Sequence, residues 1–257
     1  MFKLQTYTAE FRFYAELNDF LPTSSRQRTQ CYSFNGHPAI KDPIEVFGIP
    51  HTEVELMLVN GLAVTFNYQL QAGDRVSVYP IFKQLDMSGL VKLREPPQLA
   101  RFIMDVNLGK LAKRMRALGF DCLYRNDYQD AELVNIAVNE QRIALTRDRR
   151  LLFAKQLEHG YWVRHVEINS QVTEVLFRFN LYHLIQPFMR CLVCNGVLNT
   201  VAKADVLEHL EPKTRLYYEV FYRCSNCQRI YWQGSHIENM QKHWASFLNC
   251  HHNKTLV

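Results

Sequence analysis

Glycine and proline are scarce in this chain, ten and nine among 257 residues, and no Gly-Gly pair occurs. That scarcity excludes collagen-like and low-complexity architectures. Long hydrophobic runs are missing too. The longest stretch without a charge, Leu56 to Gly73, is broken by Asn60, Gly61, Asn67, Gln69 and Gln71, too polar for a bilayer-spanning helix. Lys3, Glu10, Arg12, Glu16 and Asp19 interrupt the stretch in which an export signal would need an apolar core. The expectation is a soluble, cytoplasmic chain with no membrane association. Neither sign of charge dominates: 30 Lys+Arg stand against 25 Asp+Glu, a formal +5. A weak basic excess of this kind is compatible with a polyanionic partner and does not establish one.

What is present is enough for a core, with 47% hydrophobic and 21% charged residues. The length suggests two or three domains. Up to residue 85 the pattern is β-rich. Phe11, Phe13, Ala15 and Leu17 alternate with polar residues, and Val76 and Val78 do the same. Asn60-Gly61, between Glu55–Val59 and Ala63–Phe66, is a hairpin signal, because both positions tolerate positive φ. Ile44 to Phe47 reads as a short helix ended by Gly48. Five strands and one helix make a β-grasp arrangement over residues 1–85. Residues 86–98, with Pro96-Pro97 and mixed charges, read as a linker.

Over residues 99–185 the period changes. Arg101–Asp105, Phe120–Tyr124, Arg142–Thr146 and Tyr161–Val166 read as strands. They alternate with helices at Leu108–Leu118 (stopped by Gly119), Leu133–Glu140 and Leu151–Glu158, and a closing helix covers residues 170–182. Such alternation predicts a parallel α/β sheet. The reactive edge of such a sheet is the carboxyl end of its strands. Asp105 closes the first strand and Asp148 follows the third, while Asp130 and Glu132 begin the second helix. Carboxylates gathered at one rim repel unless a divalent cation neutralises them, and Mg²⁺ or Mn²⁺ favours such oxygen ligands together with a phosphate. The competing reading makes Asp130 a helix cap and Asp148 a surface ion-pair partner of Arg147 or Arg149. Lys110, Lys113, Arg114 and Arg116 lie opposite the Leu108/Leu111/Met115 stripe, which reads as a solvated face. Beside a rim that holds a cation and a phosphate, Lys113, Arg147 and Arg149 become candidate phosphate contacts.

Residues 186–257 hold four of the seven cysteines as two C-x-x-C pairs, Cys191/Cys194 and Cys224/Cys227. Each pair can form a knuckle aiming two thiolates at one ion, and two knuckles complete a tetrahedral Zn²⁺ shell with no open position. A structural zinc is therefore expected. A redox dithiol is the rival reading. Arg190, Arg215, Arg223, Arg229 and Lys242 are interleaved with Tyr217, Tyr218, Tyr222, Tyr231 and Trp232. That mixture suits single-stranded RNA, with cations for phosphate and rings for bases. The alternative is that the rings simply pack a small ribbon. His236 is a further candidate for approaching a substrate.

The segments Asp105-x-x-Leu-Gly-x-Leu-Ala-x-x-Met-Arg-x-Leu-Gly-Phe-Asp121, Asp130-x-Glu132-Leu and Arg142-Ile-x-Leu-Thr-Arg-Asp148 resemble the PIN-like ribonuclease family named for the Mut-seven carboxy-terminal domain. Cys-Leu-Val-Cys-Asn-Gly and Cys-x-x-Cys-x-Arg-Ile-Tyr-Trp-x-Gly-Ser-His resemble its zinc ribbon. Pro50-His-Thr-Glu-Val54, Val59-Asn-Gly61 and Gly73-Asp-Arg-Val-Ser-Val-Tyr-Pro80 resemble the ubiquitin-like domain often fused ahead of it. The resemblance implies a PIN-like nuclease domain preceded by a β-grasp domain and followed by a four-cysteine zinc ribbon. It also implies Mg²⁺- or Mn²⁺-dependent cleavage of RNA, single-stranded or tRNA-like. It transfers Asp105, Asp130 and Asp148 as metal-holding acids, with Glu132 beside them, and a homodimer as a common assembly. The alternative function is a non-catalytic RNA-binding adaptor using the ribbon and the basic helix. A sulfur-carrier role for the first domain fails, since such carriers need a terminal Gly-Gly.

Overall fold

The structure, a computed structural model, describes residues 6–81, 93–95 and 99–234. Most of the expected linker lies outside the described residues, as do Lys242 and His236. The chain forms two compact units, Met1–Leu99 with Gln129–Trp162, and Ala100–Tyr128 with Val163–Val257.

The first unit opens with β1 (Thr6–Phe13) and β2 (Gln30–Asn35), followed by α1 (Lys41–Val46). Then come β3 (Leu56–Val59), β4 (Leu62–Val64) and β5 (Arg75–Tyr79). Their sheet has the order β2-β1-β5-β3-β4. β1 runs parallel to β5, and every other pairing is antiparallel. This is the β-grasp expected from the alternation, and Phe11, Phe13, Ile40, Ile44, Met57 and Val78 are buried in its core. Asn60 (φ 50°) and Gly61 (φ 87°) make the β3–β4 turn as their dipeptide predicts. Asp74 is the buried polar anchor: it accepts from Asn60 Nδ2 (3.0 Å), Tyr68 Oη (3.0 Å) and the Gln71 amide (2.8 Å).

The parallel sheet follows. β6 (Arg101–Met104) and β7 (Asp121–Tyr124) flank α2 (Gly109–Ala117) and pair in parallel within the second unit. In the first unit, α3 (Asp130–Asn139) leads into β8 (Ile143–Thr146), which pairs in parallel with β9 (Gly160–Trp162). The closing helix is α4 (Ile168–Arg178). The helix expected over Leu151–Glu158 is absent. A 3₁₀ turn at Arg149–Phe153 takes its place and ends at Ala154, whose ψ of 118° leaves the helical region. Leu151, Leu152 and Leu157 are still buried, so a compact loop satisfies the apolar spacing that suggested a helix.

Gly119 ends α2 at φ +99°, with its amide donating to Arg116 O and that of Phe120 to Met115 O. A Cβ there would stand 2.0 Å from the Gln186 carbonyl oxygen. Gly119→Ala combines left-handed strain with a backbone clash, and should cost about 2–4 kcal/mol. Thermal or urea unfolding checks this; a loss under about 1 kcal/mol would mean that the 186 segment yields easily.

The remainder of the second unit is a small antiparallel sheet of β10 (Leu198–Val201), β11 (Phe221–Cys224) and β12 (Ile230–Trp232), with the short helix α5 (Pro212–Tyr217) before β11. Val206, Leu210 and Phe221 form its miniature core.

Candidate functional site

Asp105 immediately follows β6 and is only 6% exposed. It caps the turn Val106–Leu108, accepting the Asn107 amide on Oδ1 at 2.8 Å. Asp148 lies two residues past the end of β8 and is exposed. Its Oδ1 accepts the Arg150 amide (2.9 Å), and its own amide donates to Oγ1 of the fully buried Thr146 (2.8 Å). Asp130 is the first residue of α3 and exposed, and Glu132, also in the first turn, is half-buried. Each acid thus stands at the carboxyl end of a strand or the start of a helix. Two of the four are fixed there by a main-chain amide.

The basic candidates separate. Lys113 projects from α2 into solvent, and Arg147 is half-buried. Arg149 lies with its guanidinium 3.8 Å from the centroid of the Trp162 ring and 5.4 Å from that of Phe20. Cation–π contact of this kind orients a guanidinium plane without removing its charge. Arg116 corrects the expectation of a solvated basic face. It is 4% exposed and donates from Nε to Cys122 O (2.8 Å). Burial pulls its pKa down from the usual value.

Within the first unit the β-grasp domain is docked on the segment around β9. His51 Nε2 meets Leu157 O at 2.9 Å, while its Nδ1 meets Glu45 Oε1 at 2.7 Å. The buried Glu53 carboxylate accepts the Trp162 amide at 2.7 Å. Arg94 donates to Glu158 O at 2.8 Å and to Val54 O. Of this docking only the residue types were visible in sequence, since the partners are main-chain groups distant in the chain, 106 residues away for His51, 109 for Glu53 and 64 for Arg94.

The docking carries a pH signature. Burial first, and then Arg94, hold the His159 pKa below its ordinary value; burial first, and then Lys41, do the same for His51. A histidine depressed in the folded state binds fewer protons there than in the unfolded chain, so stability rises with pH through this window. The contribution is complete above the unfolded value of about 6.5 and is lost as pH falls through the folded value. Melting at pH 5.5 should therefore precede melting at pH 7.5, and His159→Gln should shrink the difference. Equal midpoints in the wild-type chain would contradict this assignment.

The four cysteines do converge. Their sulfurs all lie within 4.8 Å of one another, with Cys191–Cys227 at 3.6 Å and Cys194–Cys224 at 3.4 Å. A tetrahedral zinc with Zn–S of about 2.3 Å would set sulfurs roughly 3.8 Å apart, so a small adjustment admits the ion. The surroundings favour thiolate at Cys191 only, since burial first, and then the neighbouring thiols, push Cys194 up to about 12. Burial pushes the Cys191 thiol up, but the Cys194 and Val193 amides and the Tyr231 hydroxyl outweigh it and bring the pKa down to about 6. Tyr231 Oη is 3.0 Å from that sulfur, and the Asn226 amide donates to Cys224 Sγ at 3.4 Å. Gly196 must stay small, because a Cβ would sit 2.8 Å from Cys224 Sγ. The group has the donors and the spacing of a closed zinc site.

Most ribbon aromatics are packing residues. Tyr222 stacks on Phe188 at 4.8 Å, Tyr218 lies against Trp232 at 6.4 Å, and Tyr231 is engaged at Cys191. Tyr217 is the exception at 71% exposure. Arg215 and Arg223 each donate to a main-chain carbonyl, of Leu210 and Asp205, while Arg229 is exposed. No described helix is long and apolar enough to cross a membrane.

Comparison with known proteins agrees with this anatomy. A family model described as Mut7-C RNAse domain matches residues 100–244, and one described as Mut7-C ubiquitin matches residues 6–86. Among solved structures, the crystal structure of H. volcanii small archaeal modifier protein 1 is similar at 18% identity, covering 29% of this chain and 97% of that one, with a TM-score of 0.24. No curated protein matches.

Proposed function

Since the chain belongs to the Mut7-C RNAse domain family, we propose that it is a Mg²⁺- or Mn²⁺-dependent ribonuclease, hydrolysing phosphodiester bonds in RNA with a single-stranded end or loop, tRNA among them. The observation that carries this reading is Asp105, a carboxylate almost fully buried at the end of a parallel strand inside the matched segment. Its Oδ1 is held by the Asn107 amide at the carboxyl end of β6, the edge at which a parallel sheet gathers its ligands. Asp105, Asp130 and Asp148, with Glu132, offer the all-oxygen donor set that Mg²⁺ and Mn²⁺ prefer. When bound, such a cation supplies charge neutralisation and a more acidic water.

The chain's own residues supply the rest. The Asn107 and Arg150 amides orient the carboxylates of Asp105 and Asp148. Lys113, Arg147 and Arg149 are the phosphate contacts of this reading, and the stack on Trp162 holds Arg149 in one orientation. The four cysteines bind a structural Zn²⁺ and keep the ribbon folded. A reducing, cytoplasmic setting is where such a zinc-binding cysteine set is expected.

The test is cleavage of labelled tRNA and of single-stranded RNA with Mg²⁺, with Mn²⁺ or with chelator. Cutting that chelator stops and added Mn²⁺ restores is the expected result. RNA binding without cutting under every metal condition would replace the nuclease by an RNA-binding adaptor.

A further inference from the structure

The first C-x-x-C knuckle is joined to the edge of the parallel sheet by the buried side chains of Arg116 and Asn195. β7 is an edge strand. In its middle, Cys122 is fully buried, and side chains take both of its main-chain groups. Its amide donates to Asn195 Oδ1 at 2.9 Å, and its carbonyl accepts from Arg116 Nε at 2.8 Å. Both groups of one residue point to the same side of a strand, so these two bonds close the side of β7 turned away from β6.

The same two side chains hold the knuckle. Arg116 Nη1 donates to Val193 O (2.9 Å) and Leu192 O (3.3 Å), the residues between Cys191 and Cys194. Asn195 directly follows Cys194 and takes φ +65°; its amide donates to Cys191 O at 3.0 Å. Its Nδ2 donates to Asp121 Oδ1 at 2.7 Å, and Asp121 also pairs with Arg190 at 3.3 Å. Asn195 is 6% exposed and Arg116 4%. Buried donors of this kind are expensive to leave without partners.

We propose that Arg116 and Asn195 are positioning residues for the zinc knuckle and couple metal occupancy to the outer edge of β7. With zinc bound, the knuckle is rigid, and the Leu192 and Val193 carbonyls and the Asn195 amide group stand where β7 and Arg116 need them. Without it, the knuckle loosens, the Cys122 amide loses its acceptor, and the edge of the nuclease sheet opens. The zinc is thus a fastener of the catalytic fold as well as of the ribbon. Linkage makes the effect reciprocal: whatever the metal adds to the edge, the edge adds to metal affinity.

The inference rests on the zinc reading, so zinc content of the full-length wild-type chain is measured first, and a chain that holds no zinc overturns both. The zinc-loaded protein is then followed in two ways. Competition against a chromophoric zinc chelator gives metal affinity for the wild type, Asn195→Gly, Arg116→Gln and the ribbon control Arg215→Gln. Asn195→Gly keeps the left-handed backbone and removes only the side chain. Amide hydrogen exchange of the peptide spanning β7 is recorded with zinc and after its removal. Asn195→Gly and Arg116→Gln should each lower zinc affinity roughly 10–100-fold, the usual scale for outer-shell partners, with Arg215→Gln near wild type. Protection of the β7 peptide should fall when zinc leaves the wild-type chain. Wild-type zinc affinity in both variants, or unchanged β7 protection after zinc removal, overturns the coupling and leaves the ribbon as an independent appendage. The exchange measurement on the wild type needs no variant to fold.

Discussion

Asp105→Asn should reduce RNA cleavage by about 10²–10⁴-fold while leaving the fold and its melting temperature nearly unchanged. The magnitude follows from removing a charge that holds a catalytic cation, an interaction of several kcal/mol in the transition state, at 1.36 kcal/mol per factor of ten. The specificity of the substitution follows from the local geometry. Asp105 caps its turn through Oδ1 and the Asn107 amide, and an asparagine oxygen can accept the same bond. The change therefore removes charge and little else. Asp148→Asn is the parallel case, because its cap to the Arg150 amide also survives in the amide form. Cleavage assays at saturating Mn²⁺, paired with thermal melts, decide the matter. Full activity in Asp105→Asn would remove this residue from the metal site, and a collapsed melt would show that its role is structural.

The organisation of the chain was legible because it is written in local patterns. Period-two alternation and Asn60-Gly61 marked the β-grasp hairpin, and Gly119 marked the end of α2, where its φ of +99° requires it. The paired cysteines announced their convergence through spacing alone. What stayed hidden depends on groups that no pattern records. Arg116 sits at a position that periodicity assigns to solvent, yet it is buried because three carbonyls outside its helix converge on it. The rings of Trp162 and Phe20 beside Arg149 were equally invisible, because nothing in the sequence pairs them with it. The helix expected at Leu151–Glu158 misled because a loop can bury leucines at the same spacing. His51 and Glu53 dock on main-chain groups of Leu157 and Trp162, and main-chain donors and acceptors leave no trace in residue identity. The positions of the acids, at strand ends and a helix start, were legible for the opposite reason: they follow from residue type and period, which sequence states directly.

Cys224→Ser carries the second large effect, this time on stability. Cys224 is fully buried at the end of β11, with its sulfur 3.4 Å from Cys194 Sγ and under the Asn226 amide. Serine keeps the volume nearly constant but offers a poor zinc ligand, so the shell falls to three thiolates. The ribbon has little to offset that loss. Among the described residues, its buried apolar side chains beyond the cysteines are Leu198, Val206, Leu210 and Phe221, with Val201, Ile230 and Trp232 partly buried beside them, a small core for three short strands. Structural zinc contributes about 10–16 kcal/mol of apparent folding free energy in small zinc domains. Losing one of four ligands should therefore remove several kcal/mol, enough to unfold β10–β12 at ordinary temperature. Cys31→Ser is the matched control, since that thiol is exposed on β2, away from the cluster. The expected readings for Cys224→Ser are zinc below one equivalent, loss of the tyrosine near-ultraviolet signal and rapid proteolysis within residues 190–232, with Cys31→Ser like the wild type. Full zinc occupancy and a wild-type melt in Cys224→Ser would show that three thiolates suffice, and that the ribbon draws its stability from its contacts with α2 and β7 instead.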